Sequence, residues 1–229
     1  MTDAENREKL LETVQLHVPF DGWSTVSFEA AARDAGVESG VAKAIFPRGA
    51  IDLALAFHRA GDDAMIVRLE TTNLDEMRFR DRVAAAVRFR LEAVGDKEMV
   101  RRGTTLFALP HNAPDGAQAI WGTCDRIWTA LGDTSRDVNW YTKRATLSGV
   151  YASTVLFWLG DDSPNHSATW EFLDRRIDDV MQIEKFKAKA RESKLMGGVL
   201  AGPLAFLSKI KAPETQARSD LPGRWSTPE

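Results

Sequence analysis

The chain has 229 residues, with 30 Lys and Arg against 33 Asp and Glu, and a single cysteine. That length builds one large domain or two small ones around a real core. The lone Cys124 excludes an intramolecular disulfide framework and a multi-cysteine zinc or iron–sulfur site, and a net charge of −3 argues against a broadly basic nucleic-acid binder. The start, Met1 to Glu5, is acidic and polar, unlike a signal peptide or an Arg-rich transit peptide. As written, the chain reads as intracellular, or as one whose leader lies outside it.

Strand signals are nearly absent, and helical spacing recurs between Gly and Pro punctuation. A first helix is expected over Glu5–Val18, with Leu10, Leu11, Val14 and Val18 on one stripe, ended by Pro19 and Gly22. Two short helices follow at Ser27–Ala35 and Ser39–Phe46, separated by Gly36 and closed by Pro47. Longer helices are expected at Ala50–Glu70 and Asp75–Val94. Four more cover Lys97–Leu109, Pro114–Leu131, Asp137–Leu159 and Ala168–Glu192. No fixed-period repeat occurs. The fold class is all-α, with a three-helix head at 1–48, a helical body at 49–182, a segment at 183–211 and a disordered, proline-bearing tail at 212–229.

Ala145 to Gly160 carries no charge. A helix apolar on most sides is buried on most sides, so this reads as a central core helix or as one wall of an apolar cavity. Sixteen helical residues reach about 24 Å, too short for a membrane span.

From Lys185 to Lys211 there are seven cations and one acid, Glu192. Lys187, Lys189, Arg191 and Lys194 precede an uncharged run that includes Leu195, Met196, Leu200, Leu204, Phe206 and Leu207. An apolar stretch bracketed by cations suits a segment lying in the headgroup plane of an anionic membrane. The other reading is a tail helix packed on the body or on a second copy. Gly197, Gly198, Gly202 and Pro203 interrupt any long helix there.

Gly22 to Pro47 resembles the helix-turn-helix head of TetR-type repressors. Gly36 makes the turn, Ser39 caps the second short helix and Phe46 fills the head's core. The DNA chemistry is missing. The second short helix offers Val41, Ala42, Lys43, Ala44 and Ile45, and residues 1–60 hold six cations against nine acids. Phosphate repels such a head. DNA binding is not expected, and a TetR-type regulator sensing an apolar ligand stands as the alternative function.

No cofactor, metal or catalytic group is expected. There is no Glu-x-x-His, no P-loop and no dinucleotide glycine fingerprint. His58 and Asp62, at i and i+4, read as a solvated surface pair. Cys124 has no neighbouring cation to activate it. His111, in Leu-Pro-His-Asn, reads as a loop or capping residue.

Ala108-Leu109-Pro110-His111-Asn112-Ala113-Pro114, Trp128, and Asp137-Val138-Asn139-Trp140-Tyr141-Thr142-Lys143-Arg144-Ala145 form a longer pattern. Ser163-Pro164, Thr169-Trp170 and Phe172-Leu173-Asp174-Arg175-Arg176 continue it. The pattern resembles the ubiquinone (coenzyme Q) biosynthesis accessory family, the ninth member of the Coq protein series. That resemblance implies a non-enzymatic, TetR-like homodimer that binds isoprenoid quinone intermediates or phospholipid. It also implies presentation of ubiquinone precursors to a demethoxyubiquinone hydroxylase, through a patch of Asp137, Trp140 and Tyr141. Residues 183–211 would reach the membrane, placing the protein in the cytoplasm at the inner (cytoplasmic) membrane. An insoluble polyisoprenoid also needs an apolar sleeve, since burial is worth about 25 cal/mol per Å². Phe107, Ile120, Trp121 and Trp128, with Leu147, Val150, Tyr151 and Leu156, are the expected walls. The plainer reading of each aromatic is core.

Overall fold

The computed structural model describes residues 2–192 and 211–212, with side chains to residue 182 and at 211–212. The segment 193–210 and residues 213–229 lie outside the described residues. So do Lys194, Leu195, Met196, Leu200, Leu204, Phe206 and Leu207, and the side chains of Lys187, Lys189 and Arg191. Among the described residues every element is helical: α1 (Asp3–Val14), α2 (Val18–Asp21), α3 (Thr25–Asp34), α4 (Ser39–Ile45), α5 (Ala50–Thr71), α6 (Phe79–Glu92), α7 (Lys97–Ala108), α8 (Ala113–Ala130), α9 (Val138–Leu159) and α10 (Ser167–Glu192), with one 3₁₀ turn at Pro164–His166.

The head departs from expectation in two places. The first helix stops at Val14, and Pro19 opens α2 instead of ending α1. Proline in the first helical turn forfeits only a hydrogen bond that has no partner there. Val18 still reaches the core, because it is fully buried. In the second place, Glu38 rather than Ser39 caps α4, its carboxylate accepting from the Gly40 amide. Gly36 holds a positive φ of 66° at the α3–α4 turn, where L side chains are strained. Phe46 is buried among Leu10, Val14, Phe28, Ala31 and Ala42. The expected Asp75–Val94 helix starts later, at Phe79.

α5 joins head and body. At 1.5 Å per residue its 22 residues run about 33 Å. Leu53, Ala54 and Ala56 belong to the head core, and Met65 and Leu69 to the body core. α7 ties the two together from the side. Trp23 donates from Nε1 to the Met99 carbonyl at 3.1 Å, and Arg102 donates to the Pro19 carbonyl. The same helix serves α9, which has no basic residue in its last turn. Lys97 and Arg101 donate to the carbonyls of Asp161 and Leu159. Cations there satisfy orphan carbonyls and the negative end of the helix dipole.

α9 packs between α8 and α10. Leu147, Val150, Tyr151, Thr154, Val155, Trp158 and Leu159 are buried. The remaining side stays open: Ala145, Thr146, Gly149, Leu156 and Phe157 are exposed. The uncharged helix is therefore half buried, which corrects the expectation of burial on most sides. No helix among the described residues is long and apolar enough to cross a membrane.

Candidate functional site

α5, α7, α8 and α9 enclose a cavity of about 400 Å³, with Arg90 of α6 in its wall. Head residue Trp23 also lines it, so the cavity sits where the two cores meet. Most of the wall is apolar: Phe57, Met99, Val100, Phe107, Ile120 and Val155, with several alanines. Glycine makes the close approach of α7 and α8 possible, since a Cβ on Gly116 would lie 2.7 Å from that of Phe107. Leu156 lines the cavity and is 65% exposed, which marks the opening.

One wall is polar. His58, Arg90 and Tyr151 contribute to it, backed by Asp62 and Thr123. Arg90 donates from Nε to Asp62 at 2.6 Å, and each side chain is only 4% exposed. Arg90 also donates from Nη2 toward His58 Nδ1 at 3.2 Å. With Nδ1 accepting, the His58 proton sits on Nε2 and points at the Thr123 hydroxyl, 2.8 Å away. Thr123 in turn donates to Asp62 at 2.9 Å. Burial, with the Arg90 charge beside it, pushes the His58 imidazole down to about 4, so the ring is neutral at pH 7. Gly61 admits the guanidinium, because a Cβ there would lie 2.6 Å from Arg90 Nη1.

His58 and Asp62 are therefore not a solvated surface pair, which corrects the sequence expectation. The missed signal lies in the helical spacing. Ala54, His58, Asp62, Met65 and Leu69 form one stripe of α5, and Arg90 sits among Val83, Ala86, Val87 and Leu91 on the buried stripe of α6. A charge inside an apolar stripe needs a buried partner.

Four of the expected wall residues, Phe107, Ile120, Tyr151 and Leu156, line the cavity, and four do not. Leu147 and Val150 are buried in the body core. Trp128 packs on Phe79 and donates to the Lys143 carbonyl at 3.2 Å. Trp121 lies with Trp140 and Tyr141 instead. Aromatic size alone does not say which helix face a residue occupies.

Trp121, Trp140 and Tyr141 form a half-buried aromatic group at the start of α9. Asp137 caps that helix, accepting from the Asn139 amide at 3.0 Å. Beneath lies Arg144, 2% exposed, its guanidinium 4.0 Å over the Trp140 ring. Arg144 pairs with Asp133 at 3.0 Å and Asp125 at 2.5 Å. Burial opposes ionisation of Asp133, but Lys143, Ser135 and Arg144 outweigh it and hold the carboxyl well below its usual range. Tyr141 donates to the Lys211 carbonyl at 3.3 Å, and the Ala212 amide donates to the Arg136 carbonyl at 3.0 Å. Cys124 is fully buried, and burial pushes its thiol up to about 12. No cluster of metal-ligating side chains occurs among the described residues.

The COQ9 family model matches residues 113–184. The chain is 30% identical to the probable ubiquinone biosynthesis protein coq9, mitochondrial, of Dictyostelium discoideum, covering 90% of this chain and 68% of that one. The chain belongs to the COQ9 family. It is 29% identical to the ubiquinone biosynthesis protein COQ9, mitochondrial, of Rattus norvegicus and 32% to that of Drosophila melanogaster. These matches cover 80% and 78% of this chain, and 61% and 56% of the relatives' lengths. In structure it is similar to a TetR transcriptional regulator from Nitrosomonas europaea, with a TM-score of 0.62 at 19% identity over 75% of this chain and 95% of that one. The fold is TetR-like.

The relatives overturn the expected location, since they are named as mitochondrial proteins and not as cytoplasmic ones. That expectation drew on the acidic start at residues 1–5 and on the cation-flanked segment 183–211. The chain spans 56–68% of the length of these relatives.

Proposed function

We propose that the protein is a non-enzymatic, lipid-binding component of ubiquinone biosynthesis. In this reading it takes isoprenoid quinone intermediates from a membrane and presents them to a demethoxyubiquinone hydroxylase. The observation that carries this is the apolar cavity of about 400 Å³ in a member of the COQ9 family. Small-molecule sites run from about 300 to 1,000 Å³ and are mostly apolar. A tail of many isoprene units exceeds that space, and the opening at Leu156 gives the remainder a way out.

The same proposal gives the other parts their roles. Residues 1–48 serve as a structural head and 49–182 as the lipid-binding body. Residues 183–211 lie on an anionic membrane surface, and 212–229 form a tail. The Trp140–Tyr141 group beside Asp137 is the hydroxylase contact, and Trp121 extends it. The uncharged outer face of α9, with exposed Ala145, Thr146, Gly149 and Phe157, supports a homodimer. The exposed side of α4 carries one cation, Lys43, which supports a head that no longer grips DNA.

Organic extraction of the purified protein followed by mass spectrometry tests the cargo. Quinone or prenyl lipid in stoichiometric amount is expected, and a protein that never carries apolar ligand, even after incubation with quinone-loaded liposomes, refutes it. Trp140→Ala is expected to weaken capture of the hydroxylase with the fold intact. Deleting residues 183–211 is expected to abolish sedimentation with anionic liposomes.

A further inference from the structure

The aromatic group at the start of α9 rests on a cation that a partner cannot reach. The Arg144 side chain is only 2% exposed. Its guanidinium nevertheless lies 4.0 Å from the centroid of the half-buried Trp140 ring, and Nη1 donates to the Trp140 carbonyl at 3.1 Å. Four positions separate the two residues, and helical side chains lean toward the N-terminus, so Arg144 reaches back under the ring. Trp121 approaches the same ring from α8 at 5.9 Å, and Tyr141 meets it edge-on at 4.8 Å.

Arg144 is itself held by two acids from outside α9. The Asp133 carboxylate, 2% exposed, pairs with it at 3.0 Å, and Asp125, 42% exposed, at 2.5 Å. Asp133 is fixed in turn, because Lys143 and the Ser135 hydroxyl donate to its Oδ1 at 2.7 and 2.8 Å. The guanidinium therefore has one place to sit, and that place is under Trp140. A cation over an indole face is drawn to the ring quadrupole, more strongly where water is excluded. The planar guanidinium also stacks on the ring in a way that an ammonium does not.

The ring held in this way keeps its polar edge unused. Trp23, Trp128 and Trp170 donate their indole N–H groups to backbone carbonyls. The Trp140 N–H has no acceptor among the described residues. Buried aromatic anchors carry much of the energy of protein interfaces, and ordering a loose side chain on association costs affinity. A ring oriented in advance avoids that cost.

We propose that Arg144, anchored by Asp133 and Asp125, is a positioning residue that sets the Trp140 ring for docking to the partner protein. This rests on the hydroxylase-contact reading above and adds a buried support that is not part of the contact. Arg144 acts only through Trp140, so its effect on binding disappears when the indole is absent.

The test is a double-mutant cycle on the full chain, with affinity for the purified, detergent-solubilised demethoxyubiquinone hydroxylase as the readout. The proteins are the natural chain, Arg144→Lys, Trp140→Ala and the double variant. Lysine keeps a charge for Asp133 but gives up the stacked plane. Arg144→Lys should weaken binding about three- to tenfold in the natural background, the range that one immobilised side chain is worth. It should change binding less than about 1.5-fold in the Trp140→Ala background. Loss by the same factor in both backgrounds overturns the proposal, because a general structural effect does not depend on the indole. No loss in the natural background overturns it as well. Asp125→Asn loosens the guanidinium without stranding a fully buried charge, so it serves if Arg144→Lys fails to fold. It should weaken binding about two- to threefold with Trp140 present and not without it, and any other pattern overturns the proposal. Unchanged affinity in Trp140→Ala itself removes the hydroxylase-contact reading, and the role of Arg144 with it.

Discussion

Asp62→Ala isolates the buried ion pair under the cavity. The pair lies at 2.6 Å with both side chains 4% exposed, so neither charge has water as an alternative partner. Removing the carboxylate strands the Arg90 guanidinium. Breaking a buried pair from one side costs about 3–5 kcal/mol, against about 0–1 kcal/mol for a surface pair. The Thr123 hydroxyl adds little, because the Ala119 carbonyl at 3.2 Å accepts it instead. With a urea slope of about 2–3 kcal/mol per M, the midpoint falls by roughly 1–2.5 M. Urea titration at pH 7.5, followed by circular dichroism and tryptophan fluorescence together, reads this, and the slope should be unchanged. The double replacement Asp62→Leu with Arg90→Met leaves no stranded charge and should recover most of the loss. A midpoint shift below about 0.3 M for Asp62→Ala would put the pair in water and refute the buried network.

Stability should also follow the titration of His58. Its folded value of about 4 lies below the usual 6.5, so the unfolded chain takes up the proton first. The contribution is full above pH 6.5 and declines as pH falls toward 4, by about 3 kcal/mol in all. Urea midpoints at pH 7.5, 6 and 5 should fall accordingly, and His58→Gln should remove that part of the slope. An identical slope in both proteins would argue that the ring is solvated. Gly61→Ala should destabilise by about 1–3 kcal/mol despite the better helix propensity of alanine, because its Cβ meets Arg90 Nη1. Gly122→Ala on α8, with open space around the position, should stabilise by about 0.5–1 kcal/mol; opposite results for the two glycines would refute the packing. Cys124 should resist a thiol reagent at pH 8 in the native protein and react fully in denaturant.

The all-α class, most of the helix positions and the TetR-like head follow from local chemistry. Apolar spacing, glycine and proline punctuation, and helix-start residues act within a few positions of one another, so they survive in a linear reading. The family followed from an unusual run of residues, Asp137 to Ala145. Residue roles were harder. Asp62 and Arg90 are 28 positions apart, and nothing local reveals that their helices cross there. The same holds for Arg144, which stands in the buried stripe of α9 with Leu147, Tyr151 and Trp158, and whose acids come from positions 125 and 133.

Sequence alone determined what kind of helix each stretch forms and that an apolar interior would exist. Only the tertiary structure decided which side chains share that interior. Trp121 and Trp128 are aromatic like Phe107, yet they do not line the cavity, because helix rotation is set by the whole packed assembly. A buried charge is likewise tolerable only once its partner is in place, and that placement belongs to the fold.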